Sequence, residues 1–300
     1  LALCTDNLSD PEIALPGDYF NTVIYTGDDA TTRLISNGGN FDPEMAWVKW
    51  RSGDWGADNH VLYDVVRGDG MRLQPNTTGA ESDLTSYGNQ VAFASGGITV
   101  GSTNSGYLGQ VNATGNLFVN WNWKAGGAPT ADNSAGAGAT PTAGSVKIDG
   151  SNLGSALAGS LAATKISANT TSGFSIVEWT GSGSSATIGH GLSEAPTYIS
   201  VKNLTDTYNW FYGGPFFTNG WSDWMHWNKT DEQGNNSTGA WNSAAPTASV
   251  FSVGSTYNSI SSKDYIAYCW HSVEGYSKVG SYIPASSSTD STFVYTGFKP

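Results

Sequence analysis

The octapeptide FNTVIYTG at Phe20–Gly27 returns as FSIVEWTG at Phe174–Gly181. Phe20 matches Phe174, Val23 matches Val177, Tyr25 matches Trp179, and the Thr-Gly pair is identical. Further blocks follow in the same order. FDPEMAWVKWRS (Phe41–Ser52) corresponds to EAPTYISVKNLT (Glu194–Thr205), with Pro43 opposite Pro196, Val48 opposite Val201 and Lys49 opposite Lys202. ITVGST (Ile98–Thr103) is answered by FSVGST (Phe251–Thr256), and FVNWNW (Phe118–Trp123) by YIAYCW (Tyr265–Trp270). Matched blocks in one order imply two similar units, each about 150 residues long. A third copy is expected to begin near the end, with Tyr282 at the Tyr25 position and Phe298-Lys299-Pro300 opposite Phe41-Asp42-Pro43. The chain starts at Leu1 without Met or a signal peptide, so both ends are expected to be cut from a longer polypeptide.

Each block reads as a strand. NTVIYTG and MAWVKW alternate at period two and carry β-branched and aromatic residues. FVNWNW sets Phe118, Asn120 and Asn122 against Val119, Trp121 and Trp123, which predicts one buried aromatic face and one Asn-rich face. Turn clusters such as SNGGN and EQGNNSTG separate the runs. The chain has 38 Gly, while 12 Trp, 14 Tyr and 11 Phe supply core area. The expected fold is all-β: two tandem antiparallel β-sandwich or jelly-roll-like repeats joined by a Gly/Ala/Thr-rich linker. The boundaries predicted are a connector from a preceding domain at 1–18, a first repeat at 19–124, a linker or arm at 125–172, a second repeat at 173–280, and the start of a truncated third at 281–300. Within the linker, SNLGSALAGSLAAT suits a short helix apart from its glycines.

The net charge of −12 and only 13 basic residues give no Lys/Arg-rich face for phosphates, so nucleic acid is not an expected partner, nor is an anionic membrane surface. No stretch approaches the ~20 apolar residues of a membrane-crossing helix. The two cysteines, Cys4 and Cys269, lie far apart and outside any CxxC, so no disulfide framework is expected and Cys269 reads as a small buried hydrophobe. Asn-x-Ser/Thr recurs, as at Asn7 and Asn236, at the frequency such a composition produces by chance.

Reactive side chains concentrate in YCWHSVEGYSKVGSY (Tyr268–Tyr282). Cys269-x-His271 lacks the second ligand pair a zinc site needs, and Asn122 stands at the Cys269 position of the first unit. His271, Glu274 and Lys278 are therefore expected to be junction residues that set the angle between units. His190, within GHGL, fits a tight turn, and GSGSSATIG lies in a predicted hairpin turn rather than at a nucleophile elbow. Asp54, Asp58, Asp64 and Asp69 are the carboxylates available to a glycosidase pair, but Asp64 with Arg67 reads as a structural ion pair. TGDDATT and RGDGMR suit calcium by composition without a complete EF-hand spacing; no metal site and no cofactor are expected. Aromatics crowd Asn209–Trp227, and Trp210, Tyr212, Trp221, Trp224 and Trp227 are the expected ligand-binding residues, against a reading as core or interface packing. Sugar C–H faces stack on such rings while Asn and Asp bond hydroxyls.

LCTDNLSDPEIALPGDYFNTVIYTG, HVLYDVVRG, KIDGSNLGSALAGSLAATKISANTTSGFSIVEWTG, IGHGL, YIAYCWHSVEGYSKVGSY and FVYTGFKP resemble a repeat domain of bacteriophage virion appendage proteins, of the tail-fibre or spike-like kind. There the repeat often follows a SPRY-type β-sandwich, with LCT-x-NL-x-DP as connector. The chain departs from that pattern at Asn209–Trp227 and at IPASSS, where YTGNG is expected. The resemblance brings no catalytic residues. It implies a non-enzymatic structural module on the virion surface, a homo-oligomer with the trimer as default, assembled with other virion proteins and open to host-surface attachment. A lectin-like domain recognising host glycans is the alternative, and a polysaccharide depolymerase ranks below both.

Overall fold

The computed structural model describes residues 10–53, 58–235, 238–285 and 292–298. Cys4, Asp54, Asn7, Asn236 and the Lys299–Pro300 end of the expected third unit lie outside them, as does half of the expected connector. The chain is all-β. In the first half, β1 is Phe20–Thr26, β2 Arg33–Ser36, β3 Met45–Ser52, β4 Val61–Asp64, β5 Met71–Arg72, β6 Ser82–Asp83, β7 Val91–Ala94, β8 Gly97–Val100 and β9 Leu117–Trp123. The second half adds β10 Val146–Ile148, β11 Ser151–Asn152, β12 Lys165–Asn169, β13 Phe174–Thr180, β14 Ala186–Gly189 and β15 Tyr198–Asn203. It ends with β16 Phe211–Gly213, β17 Asp223–His226, β18 Gly234–Asn235, β19 Val250–Val253 and β20 Asp264–Trp270.

The first large sheet runs β1-β9-β3-β4, and the second contains β13-β20-β15-β16 in the same relation. The registers correspond as well. Phe20 faces Trp123 and Phe174 faces Trp270; Met45 faces Trp123 and Tyr198 faces Trp270. The small pairings β2–β8 and β14–β19 likewise set Ile35 against Ile98 and Ile188 against Phe251. Each large sheet is covered on its outer face by its small one. Val48, Val61, Tyr63 and Phe118 pack with Ile35, Val91, Ile98 and Val100 on one side. On the other, Val177, Trp179, Ile199 and Ala267 pack with Ile188, Phe251 and Val253.

The inner faces of the two large sheets meet each other. Met45, Leu62 and Val66 from the first pack with Phe174, Ile176, Ile266 and Tyr268 from the second in a third apolar layer. Because strand side chains alternate, both faces of each large sheet are covered. This explains a departure from the expected alternation in β9. Asn120 and Asn122 face the outer core and are fully buried, whereas Trp121 and Trp123 on the inner face stay half-exposed. The Asn120 amide donates to Asn122 Oδ1 at 2.9 Å, a buried polar pair where the second unit has Ala267 and Cys269.

Charge pins the inner layer. Arg67 Nε donates to Asp64 Oδ2 at 2.6 Å, and the Tyr268 hydroxyl, from the other sheet, donates to the same oxygen at 2.6 Å. Arg67 also reaches Glu81 at 3.1 Å. Burial opposes the Arg67 charge, but Asp64, Tyr268 and Glu81 outweigh it and hold the guanidinium's proton more tightly than usual. A second pin is Lys202, fully buried, whose ammonium donates to the carbonyls of Thr78, Asn203 and Tyr208 at 3.2, 2.9 and 2.9 Å. Burial pulls it down to about 8, with Asp206 opposing. Thr78 belongs to the first half, so Lys202 fastens its 74–81 loop to the second. Backbone bonds from Tyr208 N–H to the Thr78 carbonyl at 2.8 Å and from Glu81 N–H to the Leu204 carbonyl at 3.0 Å reinforce it.

The later part of the expected linker adds three strands, β10, β11 and β12, to the second sheet. β12 pairs antiparallel with β13, and β10 pairs parallel with β12. Val146, Leu157, Ala163, Ile166 and Ala168 are buried in the outer core beneath them. Their small side chains leave no clear period in a Gly/Ala-rich sequence, yet they fit a sheet edge closely. The expected helix at 151–164 does not form. Gly159 adopts φ +116°, and the chain stays extended, with Leu157 N–H on the Ala139 carbonyl at 2.9 Å.

Candidate functional site

Two rings of the expected aromatic platform at 209–227, Trp210 and Trp221, are buried, and the others are packed against neighbouring rings. Trp210 is fully buried, stacks on Trp227 at 4.9 Å and donates its indole N–H to the Gln74 carbonyl at 3.2 Å. Trp221 is buried edge-on against Trp241 at 5.5 Å. Trp224 is wedged between Phe211, at 5.2 Å, and Tyr257, at 5.9 Å. Trp227 lies against Trp47 at 5.2 Å and donates to the Tyr198 hydroxyl at 2.5 Å, bridging the halves. The reason is topological: β16 and β17 extend a sheet covered on both faces. Among the five, Trp210 and Trp221 are buried, while Tyr212, Trp224 and Trp227 are partly exposed, Tyr212 stacked on Tyr198 at 5.4 Å.

The expected junction residues divide. His271 is buried, its N–H bonded to the Gly173 carbonyl at 3.0 Å and its Nδ1 3.0 Å from the Ser272 carbonyl, so it braces the second sheet from within. The backbone of Glu274 ties back to the start of the described chain, its carbonyl accepting from Glu12 N–H at 3.0 Å. Lys278 is exposed, its ammonium 5.2 Å from the Tyr295 ring centre in the segment expected to open a third unit. Among the described residues no group of three or more His, Cys, Asp or Glu is gathered for a metal ion. In the acidic turns, Asp28 accepts from Ala30 N–H at 3.1 Å and Asp69 from Phe93 N–H at 2.9 Å. His60 accepts from the Trp47 indole at 2.9 Å, His226 bonds the Trp210 carbonyl at 3.0 Å, and His190 accepts from Leu192 N–H at 3.1 Å.

The open chemistry lies at one end of the large sheets, where β1, β3, β13 and β15 begin and β9 and β20 finish. A polar hollow of about 430 Å³ is lined by Asp42, Glu44, Ser95 and Lys124. A second, of about 380 Å³, shares Glu44 and Lys124 and adds Tyr19, Asp149, Asn169 and Thr171. One chain position further along at several of these points begins an aromatic hollow of about 220 Å³, lined by Phe20, Trp123, Phe174, Trp270 and Tyr276 with Ser172 and Ser277. Trp270 is shared with a fourth hollow of about 390 Å³, walled by Tyr198, Lys278 and Val279. Phe20 and Trp123 are 4.9 Å apart between ring centres, Phe174 and Trp270 5.0 Å, and Tyr198 and Trp270 5.6 Å.

These walls are held from behind. Glu44 Oε2 accepts from Ala125 N–H at 2.6 Å, and the Lys124 N–H donates to the Tyr19 carbonyl at 2.8 Å. Burial pushes the Glu44 carboxyl up to about 7 against the opposing pull of the Ala125 N–H and Lys124. It is thus a group that can donate or accept near neutrality. Asp42 accepts from Gly96 N–H at 2.7 Å, and Asp149 takes both Thr170 N–H at 2.9 Å and Thr170 Oγ1 at 2.6 Å. Sequence reading missed this cleft because its aromatics look like strand core. The available signal was position: Phe20 and Phe174 open their strands, and Trp123 and Trp270 close theirs, so all four crowd one end.

No curated protein and no solved structure matches the chain. A family model described as a domain of unknown function (DUF7483) matches residues 15–300, which takes in both large sheets, the pinned layer between them and every wall of the cleft. The chain therefore belongs to the DUF7483 family.

Proposed function

We propose that the chain is a structural module of a phage virion appendage, a tail fibre, spike or surface fibre, built from two copies of one β unit. The observation that carries this reading is the common apolar layer between the large sheets, pinned by Asp64, Arg67 and Tyr268. Two units joined this way transmit bending and torsion as one body, which is what a load-carrying appendage needs. The resemblance of the LCTDNLSDP and FVYTGFKP segments to appendage repeats points the same way. Under this reading the module works as a homo-oligomer, with a trimer as the default symmetry, among other virion proteins.

Attachment to a host-surface glycan is the second reading, and the cleft at the strand ends favours it over the 209–227 segment. Antibodies raised against the chain test the virion assignment. They should decorate appendages on intact particles in electron micrographs and slow adsorption to host cells. Particles that carry no label would overturn it.

A further inference from the structure

We infer that the cleft formed where β1, β9, β13 and β20 come together is an oligosaccharide site for a neutral chain of pyranose rings. The wall chemistry changes along its length from polar, at Asp42, Glu44, Lys124 and Asp149, to aromatic, at Phe20, Trp123, Trp270 and Tyr276. A ligand matching both needs flat C–H faces and many hydroxyls on the same backbone, and a saccharide has that combination. Each ring face can lie against an aromatic side chain, while Ser277, partly exposed, can bond hydroxyls. Phe20, Trp123, Trp270, Tyr276 and Tyr198 are each partly exposed, unlike the fully buried Trp179, Trp210 and Trp241.

Charge selects among saccharides. Asp42 and Asp149, with Glu44 raised to about 7, line the polar hollows beside Lys124, Lys278 stands at the fourth hollow, and the chain carries a net −12. An acidic sugar meets repulsion there, and a neutral one meets acceptors for its hydroxyls. Hollows of about 430 and 380 Å³ that share Glu44 and Lys124, beside hollows of about 220 and 390 Å³ that share Trp270, suit several consecutive residues rather than a monosaccharide. The walls come from both halves, Glu44 and Trp123 from the first and Asp149 and Trp270 from the second, so the site exists only while the halves are docked.

This inference deepens the attachment reading and rests on it only for the biological source of the sugar. Titration of the whole chain with cello-, malto-, manno- and chitohexaose, followed by calorimetry and tryptophan fluorescence, tests it, with a galacturonic acid hexamer as the acidic comparator. At least one neutral hexamer should bind and perturb fluorescence. Trp270→Ala and Tyr276→Ala should each weaken binding by roughly threefold to tenfold, the scale of one lost stacking contact. Tyr276 lies outside the strands, so its variant tests the site even where Trp270→Ala disturbs folding. Leu34→Ser, at an exposed position away from the cleft, should leave binding unchanged. The inference fails when no neutral hexamer binds, when binding survives both substitutions, or when the acidic hexamer binds as tightly as the neutral ones. Failure here leaves the virion assignment standing, because antibody labelling decides that independently.

Discussion

Glu44 shows how one side chain can link folding to function. Burial raises its carboxyl from 4.5 to about 7. Between those values the folded chain keeps a proton that the unfolded chain releases. The stability this group contributes is full below about pH 4.5 and is lost as pH climbs through about 7. Glu44→Gln cannot ionise and can keep the Ala125 hydrogen bond. Relative to the parent chain it should gain stability between about pH 5 and about pH 8, by at most about 3 kcal/mol, read from urea midpoints at each pH. An unchanged difference across that range would mean that Glu44 is solvated like a surface carboxylate. The role of Glu44 was not legible from its letters, because desolvation depends on what the fold brings over it. Asp64 and Arg67 were legible as a pair, since three residues apart in a tight turn sufficed. The partner that completes the pair, Tyr268, came from the far end of the chain.

Among the elements, the strands were the most readable part, and their registers fall where the repeated blocks align. The segment 125–172 was the least readable. Its Gly and Ala pattern gives no period, but β12 uses Ile166 and Ala168 to seal the second core. The hairpin from β12 into β13 turns on Gly173, at φ +67°, where an added Cβ would fall 2.8 Å from the His271 ring. Gly173→Ala should therefore cost roughly 2–4 kcal/mol, from a left-handed backbone and a clash with a packed ring. Gly136, whose Cβ would meet open space, provides the neutral comparison by the same thermal melt. The aromatic segment 209–227 packs partly into the fold for a related reason. Composition marks where rings are abundant, whereas exposure is decided by which strands flank them. Trp210 and Trp221 are buried under neighbouring elements, whereas Trp123 and Trp270, at strand ends, keep part of their rings exposed.

At the scale of the whole molecule, the two large sheets share an inner layer, so the two halves should unfold together. Calorimetry should give one transition for the 300-residue chain, with calorimetric and van't Hoff enthalpies in agreement. Tyr268→Phe should lower stability by roughly 1.5–3 kcal/mol, as it leaves a buried Asp64 oxygen short of a donor, and Arg67→Ala by roughly 3–5 kcal/mol. Two resolved transitions in the parent chain would show that each half is stable without the other. The pairing order has a further effect, on synthesis. The central strands of the two large sheets, β9 and β20, are the last to be made in their halves, so neither sheet can close early. Met45, Leu62 and Val66 then wait for β13 and β20 to cover them. At ribosomal speed that wait is on the order of ten seconds. A nascent chain interrupted before Trp270 thus carries an uncovered apolar face, and incomplete products should be the sticky, chaperone-dependent species in any cell that makes this protein.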